Sequence, residues 1–294
     1  MDLICIKRRY KNVRRIIVLS FITIVFICIF STINYIHFKS NKEQIVEEDS
    51  KTISEVEKEQ EESPIIEEEK PQPKILTTEE IDTIKNIYKS EEKRVFLTFD
   101  DGPSKKVTIP LLDLLKQENI KANFFVLGSR VDLYPDIVKR EYEEGHYIAN
   151  HGYSHQYSQI YSSTSSVLDE YTKTNESVKN AIGNQAYNTN IFRFPGGVAG
   201  GKYNDLKAEA KSLLEQNNIA SIDWNALSGD AEGVKTEEGL LNRVKQTTKN
   251  KKSLVILMHD AGDKIKTYNV LPKVIEYLRQ EGYEFKTFYD ILNK

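Results

Sequence analysis

Arg94-Val95-Phe96-Leu97-Thr98-Phe99-Asp100-Asp101-Gly102-Pro103-Ser104 sets an apolar run directly against two carboxylates and a turn. Residues 95–99 read as a strand, and the Asp, Gly and Pro that end it are turn residues. An amphipathic helix follows over 109–117, with Ser104 as its expected cap. The pattern then repeats. Residues 122–127, 147–150, 191–194, 219–224, 253–258 and 283–287 read as strands, with helices over 137–143, 167–181, 206–216, 237–247 and 269–279. Such alternation predicts a parallel α/β structure. About seven strands can close into a barrel, and an open doubly wound sheet gives the same periodicity.

The chemistry-bearing residues fall at strand ends. Asp100 and Asp101 end the first strand, His151 the third, Arg193 the fourth, Trp224 the fifth and His259 the sixth. In a parallel barrel those ends converge on one face. The chain has five His. His37 lies beside an apolar segment and His146 in a polar turn, so three remain. One carboxylate and two imidazoles can hold a divalent metal, leaving a second carboxylate and a third imidazole to move protons. That is the parts list of a metal-assisted hydrolase.

Each cluster also has a plainer reading. Asp100-Asp101-Gly102-Pro103 is a common turn composition. As carboxylates at a strand end, the two are expected to point in different directions. His151 and His155 are a weaker metal signal than His-Glu-x-x-His, because the third ligand is not local. Arg193-Phe194-Pro195-Gly196-Gly197 reads as a loop without the Gly-Lys-Ser/Thr of a phosphate site. In it Pro195 fixes the backbone and Gly196 allows an N–H to approach a ligand closely. Trp224, the only Trp, reads as core or as a sugar platform. His259 follows a buried strand and reads as a core imidazole or a functional one.

The N-terminal part differs in character. Lys7, Arg8, Arg9, Lys11, Arg14 and Arg15 precede an uncharged run over 16–36. At 1.5 Å per residue, about 20 such residues span the ~30 Å hydrocarbon core. A basic flank stays in the cytoplasm. The expectation is a flank over 1–15, a single transmembrane anchor over 16–38 and everything after it outside the cell. A cleaved signal peptide is the competing reading. Its apolar core is normally about 7–15 residues before a small-residue cleavage site, and Ser31-Thr32-Ile33-Asn34 is a poor one. Residues 39–76, Glu-rich and punctuated by Pro64, Pro71 and Pro73, read as an extended acidic stalk. Thr77-Thr78-Glu79-Glu80 opens a short helical segment assigned to 77–92. The main domain is placed at 93–294.

Cys5 and Cys28 both precede the stalk. The outer domain therefore has neither disulfides nor thiolate zinc, and any metal there must use His and carboxylate ligands. With 41 basic against 44 acidic side chains, net charge is −3, so no nucleic-acid partner is expected. A monomer is expected.

TFDDGPS (98–104), HGYSH (151–155), RFPGG (193–197), the Asp/Trp segment (223–230) and LMH (257–259), in this order, resemble the polysaccharide deacetylases of carbohydrate esterase family four, the NodB-homology domain. The match spans about residues 93–290. With the anchor and stalk, the chain resembles membrane-anchored bacterial peptidoglycan N-acetylglucosamine deacetylases. The resemblance implies a distorted (β/α) barrel and a divalent metal, usually zinc with cobalt as another option, held by Asp101, His151 and His155. By the same resemblance Asp100 is the base, Arg193 holds Asp100, and His259 is the acid. Pro195 and the Gly196 N–H line the oxyanion position. Leu257 shapes the acetyl pocket, and Trp224 belongs to the substrate-binding set. The fourth motif carries an Asp that tunes the acid histidine. Counted from Trp224 it is Asp230, with Ala231 where the family has Trp; Asp223-Trp224 is the other match. The implied partner is an acetylated cell-wall glycan, whose deacetylation confers lysozyme resistance. N-acetylmuramic acid, chitin-like, xylan or exopolysaccharide substrates are alternatives. A non-catalytic wall-binding module predicts loss of Asp100 or His259, and both are present. A metallopeptidase or amidase fits the metal but not the five-motif set.

Overall fold

Strand β1 (Arg94–Asp100) and strand β7 (Ser253–His259) run side by side in parallel, paired from Arg94↔Ser253 to Asp100↔His259. Both are near-continuous apolar sequences, as expected of strands covered on both faces. Around this pair the computed structural model, which describes residues 75–292, builds a parallel sheet. Its other strands are β2 (Asn123–Val126), β3 (Tyr147–Asn150), β4 (Ile191–Phe192), β5 (Ala220–Ser221), β6 (Ala226–Leu227) and β8 (Glu284–Phe285). The order is β5-β4-β3-β2-β1-β7-β6, with β8 paired to the first two residues of β1. The two ends of this order, β5 and β6, are not paired to one another, so the fold is an open, incomplete α/β barrel.

Helices α1 (Thr78–Lys85), α2 (Thr108–Gln117), α3 (Gly128–Leu133), α4 (Pro135–Glu143), α5 (Tyr157–Ile160), α6 (Thr164–Ile182), α7 (Asn204–Gln216), α8 (Glu237–Thr248), α9 (Ile265–Gln280) and α10 (Tyr289–Leu292) connect and cover the strands. The alternation of strand side chains sorts the core into layers. Val95, Leu97 and Phe99, with Leu254, Ile256 and Met258, pack against Leu111, Leu112, Leu115 and Leu271 of the outer helices. Phe96 and Val255, with Phe125, Tyr147 and Phe288, fill the inner face. Phe288 stacks on Phe96 at 5.4 Å and meets Tyr147 edge-on at 5.3 Å. Leu76, Ile81, Ile84 and Ile87 join this inner cluster, so α1 and the turn after it pack on the barrel. The helix opens with the capping box legible in sequence: the Glu80 N–H donates to Thr77 Oγ1 and the Thr77 N–H to Glu80 Oε2.

Of the expected strand over 219–224 only Ala220–Ser221 (β5) forms; residues 222–225 are a strap that leads to β6, which lies beyond the expected range. Arg193 donates to the carbonyls of Ile222 and Asp223, and Asn225 side-chain atoms bond Val255 N–H and Ser253 C=O. These bonds take backbone groups that a continuous strand would need. Ser104 does not cap α2 at its N-cap, which is Val107. The Ser104 hydroxyl accepts from Val107 N–H and donates to Asp260 C=O, tying the loop after β1 to the loop after β7. Helices α3, α5 and α10 were not expected. No helix among the described residues is long and apolar enough to cross a membrane. The uncharged run at 16–36 and the acidic tract through residue 74 lie outside the described residues, and Leu76, expected at the end of the stalk, is instead buried in the inner cluster.

Candidate active site

Side chains 96, 98 and 100 of β1 share one face, as do 255, 257 and 259 of β7. Phe96 and Val255 lie in the inner core, so Asp100, Leu257 and His259 belong to the same face, nearer the C-terminal ends. Asp100, Asp101, His151, His155, Trp224, Asp230, Leu257 and His259 line one cleft of about 280 Å³, together with Gly196 and Tyr157.

Arg193 organises its floor. It is fully buried, and its guanidinium lies 3.8 Å over the Phe125 ring. Nη1 donates to Asp100 Oδ1 and to Thr98 Oγ1, both at 2.8 Å. Its remaining bonds run to the strap, from Nε to the Ile222 carbonyl and from Nη2 to the Asp223 carbonyl. A buried cation with five donors needs this many acceptors to offset its lost hydration. Burial raises the pKa of Asp100, and the charges of Arg193 and His259 work against that rise.

Asp101 has φ +74°. This left-handed turn brings its carboxylate back to the cleft that Asp100 faces, so the adjacent carboxylates converge rather than diverge. Asp101 Oδ1 lies 3.5 Å from His151 Nε2 and 3.3 Å from His155 Nε2, and Asp100 Oδ2 lies 3.7 Å from His151 Nε2. His151 Nδ1 is 2.8 Å from the Arg193 carbonyl. A carbonyl only accepts, so Nδ1 carries the proton and Nε2 keeps its lone pair. Burial pushes the His151 pKa down to about 3, favouring the neutral ring. Ligand atoms of Asp101, His151 and His155 all lie within 4.8 Å of one another. Asp101 Oδ1 is buried without a hydrogen-bond partner. An unpaired carboxylate oxygen aimed between two imidazoles with available lone pairs fits a divalent cation, and three protein ligands leave room for water or substrate.

His259 is held differently. Asp230 Oδ1 lies 2.9 Å from Nδ1, and Asp230 Oδ2 accepts from the His259 N–H and the Thr267 hydroxyl, both at 2.8 Å. Burial opposes charge on His259, but the Asp230 carboxylate, with Asp100 and Asp101 beyond it, outweighs that and raises the pKa to about 9. Burial likewise opposes the Asp230 charge, and the bond to His259 overcomes it, leaving that pKa lowered. Asp223 does something else: both its oxygens accept from the Val198 N–H, which fixes the glycine-rich loop.

Of the loop 195–197 only Gly196 lines the cleft; Pro195, expected beside it, does not reach the cleft surface. Pro195 is buried, and its carbonyl accepts from the Tyr161 hydroxyl at 2.7 Å. Gly196 has φ +77°, and a Cβ there would stand 2.6 Å from the Tyr157 hydroxyl. Trp224 is half-buried between the inner core and the cleft. Tyr157 and Leu227 also line the cleft and were not singled out in the sequence. Tyr157 could have been, as an aromatic two residues beyond His155; Leu227 carries no such signal.

A family model described as polysaccharide deacetylase matches residues 88–216. A peptidoglycan-N-acetylglucosamine deacetylase of Bacillus cereus is 33% identical over 205 residues, covering 68% of this chain and 71% of the relative. The peptidoglycan-N-acetylglucosamine deacetylase PgdA of Listeria monocytogenes is 35% identical over 195 residues, covering 66% of this chain but 38% of that longer protein. Among solved structures, a Streptococcus mutans CE4 esterase superposes with a TM-score of 0.63 at 32% identity, covering 73% of this chain and 92% of that one. The chain belongs to the polysaccharide deacetylase family, carbohydrate esterase family four, and is an enzyme of that kind.

Proposed function

We propose that this enzyme hydrolyses the N-acetyl group of N-acetylglucosamine in peptidoglycan, with a divalent cation at Asp101, His151 and His155. The observation that carries this reading is the placement of a proton acceptor, Asp100, and a proton donor, His259, at partnered strand ends beside that triad. The printed names of the Bacillus cereus and Listeria monocytogenes relatives support the substrate.

A cation bound there would polarise the acetamide carbonyl and acidify a water. Asp100 is the general base. Arg193 holds Oδ1, leaving Oδ2 on the triad side to take the proton of the attacking water. The Gly196 N–H donates to the carbonyl oxygen as negative charge develops on it. His259 is the general acid. Its Nδ1–H is held by Asp230, so Nε2–H donates to the departing nitrogen as the C–N bond breaks. Acetate leaves, the glucosamine unit stays in the glycan with a free amine, and a proton passes from Asp100 back to His259 through solvent. Trp224 and Leu257 wall the cleft around the sugar and the acetyl methyl group.

The N-terminal run at 16–36 and the acidic tract support an enzyme anchored in the membrane and working outside it. New wall polymer is then the nearest acetylated glycan, and its deacetylation would raise resistance to lysozyme. Incubating the protein with purified peptidoglycan and analysing muropeptides by mass spectrometry tests the reading. Loss of one acetyl mass from the glucosamine unit is expected. Loss from muramic acid, or loss only from chitin, xylan or another surface polysaccharide, would replace the substrate.

A further inference from the structure

Residues 151–155 carry two of the three ligand candidates, yet no helix or strand extends through them. Their backbone polar groups are instead satisfied one at a time. The Gly152 N–H donates to Asn150 Oδ1 at 3.0 Å. The Gly152 and Tyr153 carbonyls accept from the N–H groups of Gly128 and Ser129 at 3.0 and 3.1 Å. The N–H groups of Tyr153 and Ser154 both donate to a single atom, Glu170 Oε2, at 2.6 and 2.7 Å. Short bonds from two consecutive amides to one carboxylate oxygen are charge-assisted and strong.

Glu170 comes from α6, and α6 is itself fastened to the strand that leads into His151. Asn150, the last residue of β3, donates from Nδ2 to the Tyr171 carbonyl at 3.0 Å. Tyr171 is buried in the cluster with Phe192. The carboxylate thus reaches from a fixed helix to a loop without regular structure, at the point where the chain must turn back. That turn ends at His155, with φ +57°, so that Nε2 of His155 and of His151 both face Asp101 Oδ1. His151 has a second restraint, its Nδ1 bond to the Arg193 carbonyl. No such bond is present for the His155 ring. The His155 ring lies tilted against the Tyr157 ring, at 5.7 Å, and its placement depends on the loop backbone, which Glu170 holds together with the Gly128 and Ser129 amides.

We propose that Glu170 is a positioning residue that sets the spacing of His155 from His151 and so the affinity of the triad for its cation. The proposal rests on the metal reading above. Glu170 is not one of the clustered ligand atoms and acts only through the two amides. Without its carboxylate two N–H groups lose their partner, the turn relaxes and one of three ligands drifts.

The test is zinc affinity of the full-length protein, measured by competition with a chromophoric chelator, with the visible spectrum of the Co²⁺-loaded form alongside. Glu170→Ala should bind zinc roughly 10–100-fold more weakly, the usual effect of removing a group that orients a ligand. Its Co²⁺ bands should shift while the far-ultraviolet circular dichroism of the metal-free protein stays that of the wild type. Glu170→Gln keeps an oxygen that can accept both amides and should bind within about threefold of wild type. Glu170→Asp, one methylene short, should lose affinity as the alanine variant does, and it carries the test alone if the alanine variant does not fold. Wild-type affinity in the alanine or aspartate variant overturns the role of Glu170, as does a glutamine variant as weak as alanine. No zinc binding by the wild-type protein overturns the triad itself, and the role with it.

Discussion

Asp100 and His259 are register partners at the C-terminal ends of two hydrogen-bonded parallel strands. Strand pairing alone therefore brings the carboxylate and the imidazole proposed to accept and donate the protons to neighbouring positions on one face. Each is then held by a second side chain, Asp100 by Arg193 and His259 by Asp230. The two partners carry opposite charge, so one environment supports a carboxylate and the other an imidazolium.

His259 should titrate near pH 9 in the metal-free protein, above its ordinary value of 6.5. A raised histidine pKa means that the folded state holds the proton more tightly than the unfolded state. This stabilisation is complete below about pH 6.5 and is lost as pH rises through 9. Asp230→Asn removes the main favourable interaction and leaves burial, so the imidazole should become neutral at lower pH. NMR titration of the ring protons checks both. An unchanged titration in the Asn variant would contradict the pairing.

Arg193→Leu should destabilise the protein by about 3–5 kcal/mol, because it leaves the Asp100 carboxylate buried and unpaired. It also removes the donors that fasten the Ile222–Asn225 strap, so the metal-free protein should lose much of its urea midpoint. The double variant Arg193→Leu/Asp100→Leu should recover part of that loss, since an unpaired charge no longer remains. Additive losses in the denaturation curves would show that the two groups are not coupled.

Gly102→Ala should disturb the site from behind. A Cβ at Gly102 would stand 2.2 Å from Asp260 Oδ2, inside any allowed contact. The Asp260 carboxyl is held there by the Thr108 hydroxyl, at 2.5 Å. Forcing it aside should cost about 1–3 kcal/mol and displace the turn that carries Asp101. Thermal melting and zinc affinity should both fall, and Gly102→Ala/Asp260→Gly, which removes the obstructing carboxyl, should regain part of each.

Glu141 is a buried acid whose two oxygens have no hydrogen-bond partner. Burial raises its pKa well above 4.5. The folded state therefore keeps a proton that the unfolded state releases, and stability falls as pH rises above about 4.5 toward the folded pKa. Glu141→Gln or Glu141→Leu should stabilise the protein at neutral pH by about 1–3 kcal/mol, with a smaller gain at pH 4. A melting temperature that is lower at neutral pH in both variants would oppose this reading.

Much of this arrangement was legible in the residues themselves. The apolar sequences of β1 and β7 announce fully buried parallel strands, and the carboxylates and His259 fall at their ends because the sequence changes character there. Other features depend on contacts distant in sequence. Nothing near Glu170 shows that its carboxylate meets amides 16 and 17 positions away. The choice between Asp223 and Asp230 turns on where the strap bends, and the strap is fastened by Arg193, just beyond β4. The convergence of Asp100 and Asp101 follows from a positive φ at a non-glycine residue, which no local propensity predicts. Helices α3 and α5 are too short to show a periodic apolar face.

The central claim is that Asp100 and His259 carry protons for deacetylation beside a metal at Asp101, His151 and His155. The most direct measurement is acetate release from purified peptidoglycan by the full-length protein and by Asp100→Asn, each assayed for bound zinc. The account predicts that the wild type releases acetate while the glucosamine units lose their acetyl mass. The variant should retain zinc and be slower by about 10²–10⁴-fold. Acetate release by Asp100→Asn at the wild-type rate, with zinc bound, would contradict it.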